Sequence, residues 1–142
     1  MSSLFDTNIL TWSAEQATLL RRLAAGERVN DQVDWEHVID EIESVGRSDF
    51  HAFESLLMRA IAHRLKAMAW PDSREIPHWQ AEARTLGLDA RRKYQNSMRR
   101  YLDLEDIFPD AVSTLPATID GVPPAALPVS CPFTLEELLV KP

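Results

Sequence analysis

Arginine and histidine recur four residues apart at three places, Arg47 with His51, Arg59 with His63 and Arg74 with His78. On a helix that spacing sets both side chains on one face. Such a pair suits phosphodiester chemistry, the guanidinium stabilising phosphate charge while the imidazole moves a proton. Helical ribonucleases space the two slightly more widely, so all three pairs are too close for that pattern. Glu36, Asp40 and Glu43 form a carboxylate row at i, i+4 and i+7 that could hold Mg2+. Nucleotide pyrophosphohydrolases need a second acidic pair on the neighbouring helix, and there only Asp49 and Glu54 are available, pointing to different sides. A solvated acidic face is the better reading. His37, His51, His63 and His78 contain no His-x3-His pair and Cys131 has no cysteine partner, so no transition-metal set is expected. Cys131 precedes Pro132 with no base nearby, which argues against a nucleophile. Phosphate-binding glycine loops and the Gly-x-Ser-x-Gly elbow are absent. No catalytic residue, metal ligand or cofactor is therefore expected.

Two other groups of polar residues invite a binding role. Gln16, Glu54 and Arg64 fall inside apolar stripes, and His63 lies in a second stripe beside Leu56, Ala67 and Trp70. A buried polar group without a partner costs about 1–3 kcal/mol, so these four either pair and orient helices or line a polar pocket in the bundle. Arg91, Arg92, Lys93, Arg99 and Arg100 form a basic cluster that could bind an anionic partner. Cations there also complement a helix C-terminus, and no aromatic platform alternates with them as single-strand binding requires.

The elements that must carry these residues are helical. Only 4 glycines are present and β-branched runs bounded by turn signals are absent, so strands have little support. A first helix is predicted from Thr7 to Ala25 on the stripe Phe5, Ile9, Trp12, Leu20 and Leu23, capped by Asp6 and ended by Gly26. A second follows Asp34, with Trp35, Val38, Ile39, Ile42 and Val45 on its buried face and Gly46 at its end. A third spans Ser48 to Ala69 with stripes Phe50, Phe53, Leu57, Ile61, Met68 and Ala52, Leu56, Ala67, Trp70, which makes it central in the bundle. Pro71 stops it. Pro77 starts a fourth, with Trp79, Ala83, Leu86, Ala90 and Tyr94 inward and Gly87 weakening it slightly. After a break at Asn96 and Ser97, a fifth runs from Met98 to Leu115, interrupted or kinked by Pro109.

From Leu115 to Phe133 five prolines alternate with Ile119, Val122, Leu127 and Val129, an apolar extended arm that should dock on the bundle or on a partner. Thr134 and Glu137 have capping-box spacing for a short last helix, TLEELLV. The fold class is thus all-α: a bundle of about five helices over residues 1–115, a Pro-rich arm over 116–133 and a short helix over 134–142, in one domain.

The segments FDTNILTWSAEQATLLRR, DWEHVIDEIESVGRSD, HRLKAMAWP and SCPFTLEELL, in this order over nearly the whole chain, resemble the successive signatures of the bacterial family called domain of unknown function 29. The resemblance implies an almost entirely helical fold. It carries no activity, ligand or catalytic residue onto these positions.

Composition bounds the rest. The 142 residues suffice for one self-sufficient core, and 45% hydrophobic with 26% charged residues excludes disorder and rods. The net charge of −7 is uneven: residues 1–46 hold 9 acids and 3 bases, 47–100 hold 6 and 11, and 101–142 hold 7 and 1. A single cysteine fits a reducing compartment. No secretory signal and no run of about 18 uncharged apolar residues are present, so the expected location is the cytoplasm with no membrane contact. The favoured function is a noncatalytic protein-interaction module that forms a homodimer through its apolar arm. The alternatives are a helical hydrolase acting on nucleotides or RNA, and a nucleic-acid-binding protein using the 91–100 cluster.

Overall fold

A computed structural model describes residues 3–140, so Lys141 and Pro142 of the expected last segment lie outside the described residues. The chain divides into two compact units, Met1–Ser48 and Asp49–Pro142.

In the first unit, Ser3 starts a one-turn helix, α1 (Leu4–Thr7), by a capping box with Asp6. α2 (Ile9–Ala24) begins separately, because the Asn8 side chain accepts from the Thr11 amide at 3.1 Å while its own backbone leaves helical geometry at φ −154°. The expected single helix from Thr7, capped by Asp6, is therefore corrected: Asn8 offers its backbone a local cap that competes with continuation. Gly26, at φ +94°, closes α2. Its amide bonds to the Leu23 carbonyl and that of Glu27 to the Arg22 carbonyl, the pair of bonds that a left-handed residue makes possible at a helix end. Trp12, Val33 and Val38 form the buried core here, with Phe5, Leu19, Leu20 and Leu23 packed around them. Ile9, expected in that stripe, is exposed.

The next element, α3, runs unbroken from Trp35 to Ala69. The expected end at Gly46 does not occur. Gly46 keeps helical backbone, and a helical glycine costs only about 1 kcal/mol relative to alanine, less than the hydrogen bonds a break would forfeit. Within the first unit the expected buried face of this helix is also corrected. Val38 is buried, whereas Trp35, Ile39, Ile42 and Val45 are exposed.

The second unit is built on the later turns of α3. Phe53, Leu57, Ile61 and Leu65, spaced by four, are all fully buried. Against them pack Leu86 and Ala90 of α4 (Ile76–Lys93), Met98 of a 3-10 turn (Asn96–Arg100), and Ile107, Phe108 and Ala111 of α5 (Leu104–Ser113). The core is completed by Leu135, Leu138 and Leu139, of which the first two belong to α6 (Leu135–Leu138), opened by the Thr134–Glu137 capping box. Met68 of the expected stripe is exposed. The fifth helix starts at Leu104 rather than Met98 and continues through Pro109, since burying Phe108 and Ala111 on both sides of the proline outweighs the one lost amide bond. Six α-helices are present among the described residues, but the expected first helix is two and the expected second and third are one.

Between α5 and α6 the chain is not uniformly extended. Ile119 and Val122 exchange backbone hydrogen bonds of 3.0 and 2.9 Å around Asp120 and Gly121, both at positive φ, which is a two-residue hairpin turn. The turn is fastened to the end of α3: Trp70 Nε1–H donates to the Val122 carbonyl at 2.8 Å, and the Ala125 amide donates to the Ala69 carbonyl at 2.8 Å. A carbonyl that the helix end leaves unpaired is thereby satisfied. Ile119 and Leu127 pack beside Trp70 and Trp79, while Cys131 and Phe133 lean on the main core.

Candidate functional site

The densest polar constellation surrounds Asp34, immediately before α3. Its carboxylate Oδ2 accepts from Trp12 Nε1 at 2.9 Å and lies 2.7 Å from His37 Nδ1, while its amide donates to Gln16 Oε1 at 2.8 Å. Phe5 stacks on the His37 ring at 4.2 Å, and Trp12 meets both rings edge-on. The hydrogen bond from Trp12, then the one from His37, hold Asp34 below the usual carboxylate range; the bond to Asp34 raises His37. A carboxylate fixing Nδ1–H leaves Nε2 able to move a proton, the geometry of a general base. The imidazole face, however, is covered by Phe5. The constellation acts as a clasp that joins α1 and α2 to the start of α3, and it accounts for the buried Gln16. Sequence reasoning identified Gln16 but missed Trp12, Asp34 and His37 as its companions. The i, i+3 spacing of Asp34 and His37 at a helix start was the available signal.

Glu54, His63 and Arg64 belong to the second unit. Glu54 lies 3.3 Å from exposed His51, on a shallow hollow of about 270 Å3 that also holds Asp106 and Asp110. His63 is half-buried, and its Nδ1 has no hydrogen-bond partner. Burial, followed by the charge of Lys66, pushes its pKa down. Arg64, one residue on and about 100° around the helix, donates from Nη2 to the Glu137 carbonyl at 2.9 Å and sits 5.4 Å over the Phe133 ring. It pins the last helix to α3.

The two histidines should titrate in opposite directions. His37, raised above the ordinary value of about 6.5, gives its stabilisation in full below that pH and loses it as pH rises through the folded-state value. Asp34, lowered, gives its share above about pH 4 and loses it on acidification, so the pair is charged between the two. For His63 the unfolded chain takes the proton first, and stability falls as pH drops below about 6.5. NMR titration should place His37 above the ordinary histidine value and His63 below it. The reverse order would contradict both environments.

The basic cluster divides. Arg91, Arg92 and Lys93 fill the exposed last turn of α4, where cations offset the helix dipole. Arg99 pairs with Glu136 at 2.6 Å, a second tie to α6, and Arg100 is exposed beside it. At the end of α3, a groove of about 540 Å3 is lined by Trp70, Arg74, Ile119, Asp120, Val122 and Pro123 among others, a feature the sequence reading did not contain. The row Glu36, Asp40 and Glu43 is exposed, with Glu43 3.5 Å from Arg47. Among the described residues no three of His, Cys, Asp and Glu gather in a metal-holding group. None of their helices is long and apolar enough to cross a membrane.

The regular elements among the described residues are all helices, and the polar groups around Asp34 and Arg64 fasten elements within their own units. The chain belongs to the family described as Domain of unknown function DUF29, whose model matches residues 4–141, in agreement with the resemblance of its sequence segments. No curated protein and no solved structure matches it.

Proposed function

We propose that this protein is a cytoplasmic, noncatalytic interaction module that self-associates as a homodimer. One observation carries the reading: Trp35, Ile39, Ile42 and Val45 stand exposed on consecutive turns of α3, and contiguous exposed apolar surface of this kind marks a protein contact. Among the polar side chains that could serve an enzyme, Gln16, Asp34 and Arg64 are engaged in holding helices together. The Pro-rich segment does not supply this contact, since Ile119, Leu127 and Phe133 pack on their own chain. Sedimentation equilibrium over a concentration series tests it. A reversible dimer at tens of micromolar is expected, and a monomer throughout would overturn the reading.

A second reading, nucleic-acid binding, is favoured by the exposure of Arg91, Arg92, Lys93 and Arg100. It requires salt-sensitive binding of RNA or DNA that is lost when Arg91, Arg92 and Lys93 are reversed to Glu. Wild-type protein that binds neither at low salt removes it.

A further inference from the structure

Trp35, Ile39, Ile42 and Gly46 follow one another on α3 at steps of four, three and four, the spacing of a coiled-coil seam. At about 100° per residue they lie within roughly 60° of one another. The three large side chains are 44%, 50% and 67% exposed, so the seam has no cover within its unit. Gly46 is the informative member. It keeps helical backbone, and a Cβ added there would meet nothing within 4 Å. Its own fold therefore gives no reason for a glycine, which weakens an exposed helix by about 1 kcal/mol relative to alanine.

We propose that this seam is the dimer contact: α3 of a second copy crosses it antiparallel, with Trp35 of each chain seated over Gly46 of the other. The inference rests on the self-association reading and names its surface. In antiparallel seams the two kinds of seam position face each other, and a register that sets Trp35 over Gly46 also sets Ile39 over Ile42, in both directions. Every layer is then filled: a large ring over the residue without a side chain, and isoleucine over isoleucine. The Trp35 indole is held for this, its Nε1–H donating to the Asn30 carbonyl at 2.7 Å. Charge agrees at the ends, where Arg47 of one chain comes level, within a turn, with Glu36 of the other, twice by symmetry. Along the middle, Asp40, Glu41 and Glu43 outnumber the cations in both copies. The dimer should accordingly tighten, not loosen, as salt rises.

Sedimentation of the full chain and of seam variants tests the proposal, with circular dichroism confirming the helical fold of each. Ile39→Lys and Ile42→Asp are each expected to weaken dimerisation about tenfold or more. The double variant Ile39→Lys/Ile42→Asp should recover it, because the antiparallel register sets each new cation on a new anion. Gly46→Ala should raise the melting temperature of dilute protein while weakening the dimer, a split that a purely structural glycine would not give. Wild-type protein that stays monomeric removes the self-association reading and this inference together. A wild-type dimer that tolerates the single variants or Gly46→Ala, gains nothing in the double variant or loosens with salt removes the inference alone.

Discussion

Leu57→Ala is expected to cost about 2–5 kcal/mol of unfolding free energy, the range for emptying a fully buried leucine site. Leu57 has no exposed surface and sits one turn from both Phe53 and Ile61, which are equally buried. The same cluster takes side chains from α4, α5 and α6. A void at that point is bordered by several elements at once, so no single side chain can swing in to fill it, and both the transfer term and the cavity term are lost. Ile42→Ala, made on the exposed turns of the same helix and measured at high dilution, should cost less than about 0.5 kcal/mol. Urea denaturation of the two variants checks the pair. A Leu57→Ala cost below about half a kcal/mol would show that the core had been assigned to the wrong face of α3.

Gly87→Ala should destabilise the protein by about 1–3 kcal/mol, although alanine is the better helix former. A Cβ at this position would overlap the Leu138 carbonyl oxygen and come within 2.9 Å of Val140 Cγ2. The obstacle is backbone, which cannot rotate aside as a side chain can. Relief requires α6 to back away from α4, and Leu138 and Leu139, both fully buried, would leave the core with it. Arg64 and Arg99, which hold α6 through the Glu137 carbonyl and the Glu136 carboxylate, would be pulled off their partners. The measurable signature is a lower denaturation midpoint together with faster amide exchange in residues 135–139. A variant as stable as the wild type would mean that α6 does not depend on this close approach.

Glycine shows why part of this fold was legible in the sequence and part was not. At Gly26 the expectation of a helix end was right, because the chain there turns left-handed and the amides of Gly26 and Glu27 both find carbonyls. At Gly46 the same residue type signalled an end that does not exist. The sequence around it stays helix-forming on both sides, and local propensity is a weaker signal than the continuing hydrogen-bond ladder. At Gly87 the residue type signals only a small helix penalty, since the requirement comes from α6, about fifty residues away. Asp120-Gly121 between Ile119 and Val122 is a strong short hairpin signal, but the surrounding prolines favour an extended chain on either side of it.

The apolar faces of the bundle helices were legible where a neighbour in the same chain covers them. Phe53, Leu57, Trp79 and Trp12 are buried as their periodicity indicated. Trp35, Ile39 and Ile42 follow the same pattern and are exposed. Periodicity tells which side of a helix is apolar and nothing about what covers it. The polar candidates divided likewise. Gln16 and Arg64 each hold another segment of the chain, but their partners, the Asp34 amide and the Glu137 carbonyl, lie 18 and 73 residues away. No spacing rule reaches that far.

The claim that α3 presents a face to a second copy is tested most directly by amide hydrogen exchange over residues 36–46, measured at two protein concentrations on either side of the association midpoint. Exchange in these turns should slow markedly at the higher concentration, while that of the buried turns around Phe53 to Leu65 stays unchanged. Equal rates for residues 36–46 at both concentrations, in a sample shown to be dimeric at the higher one, would contradict it.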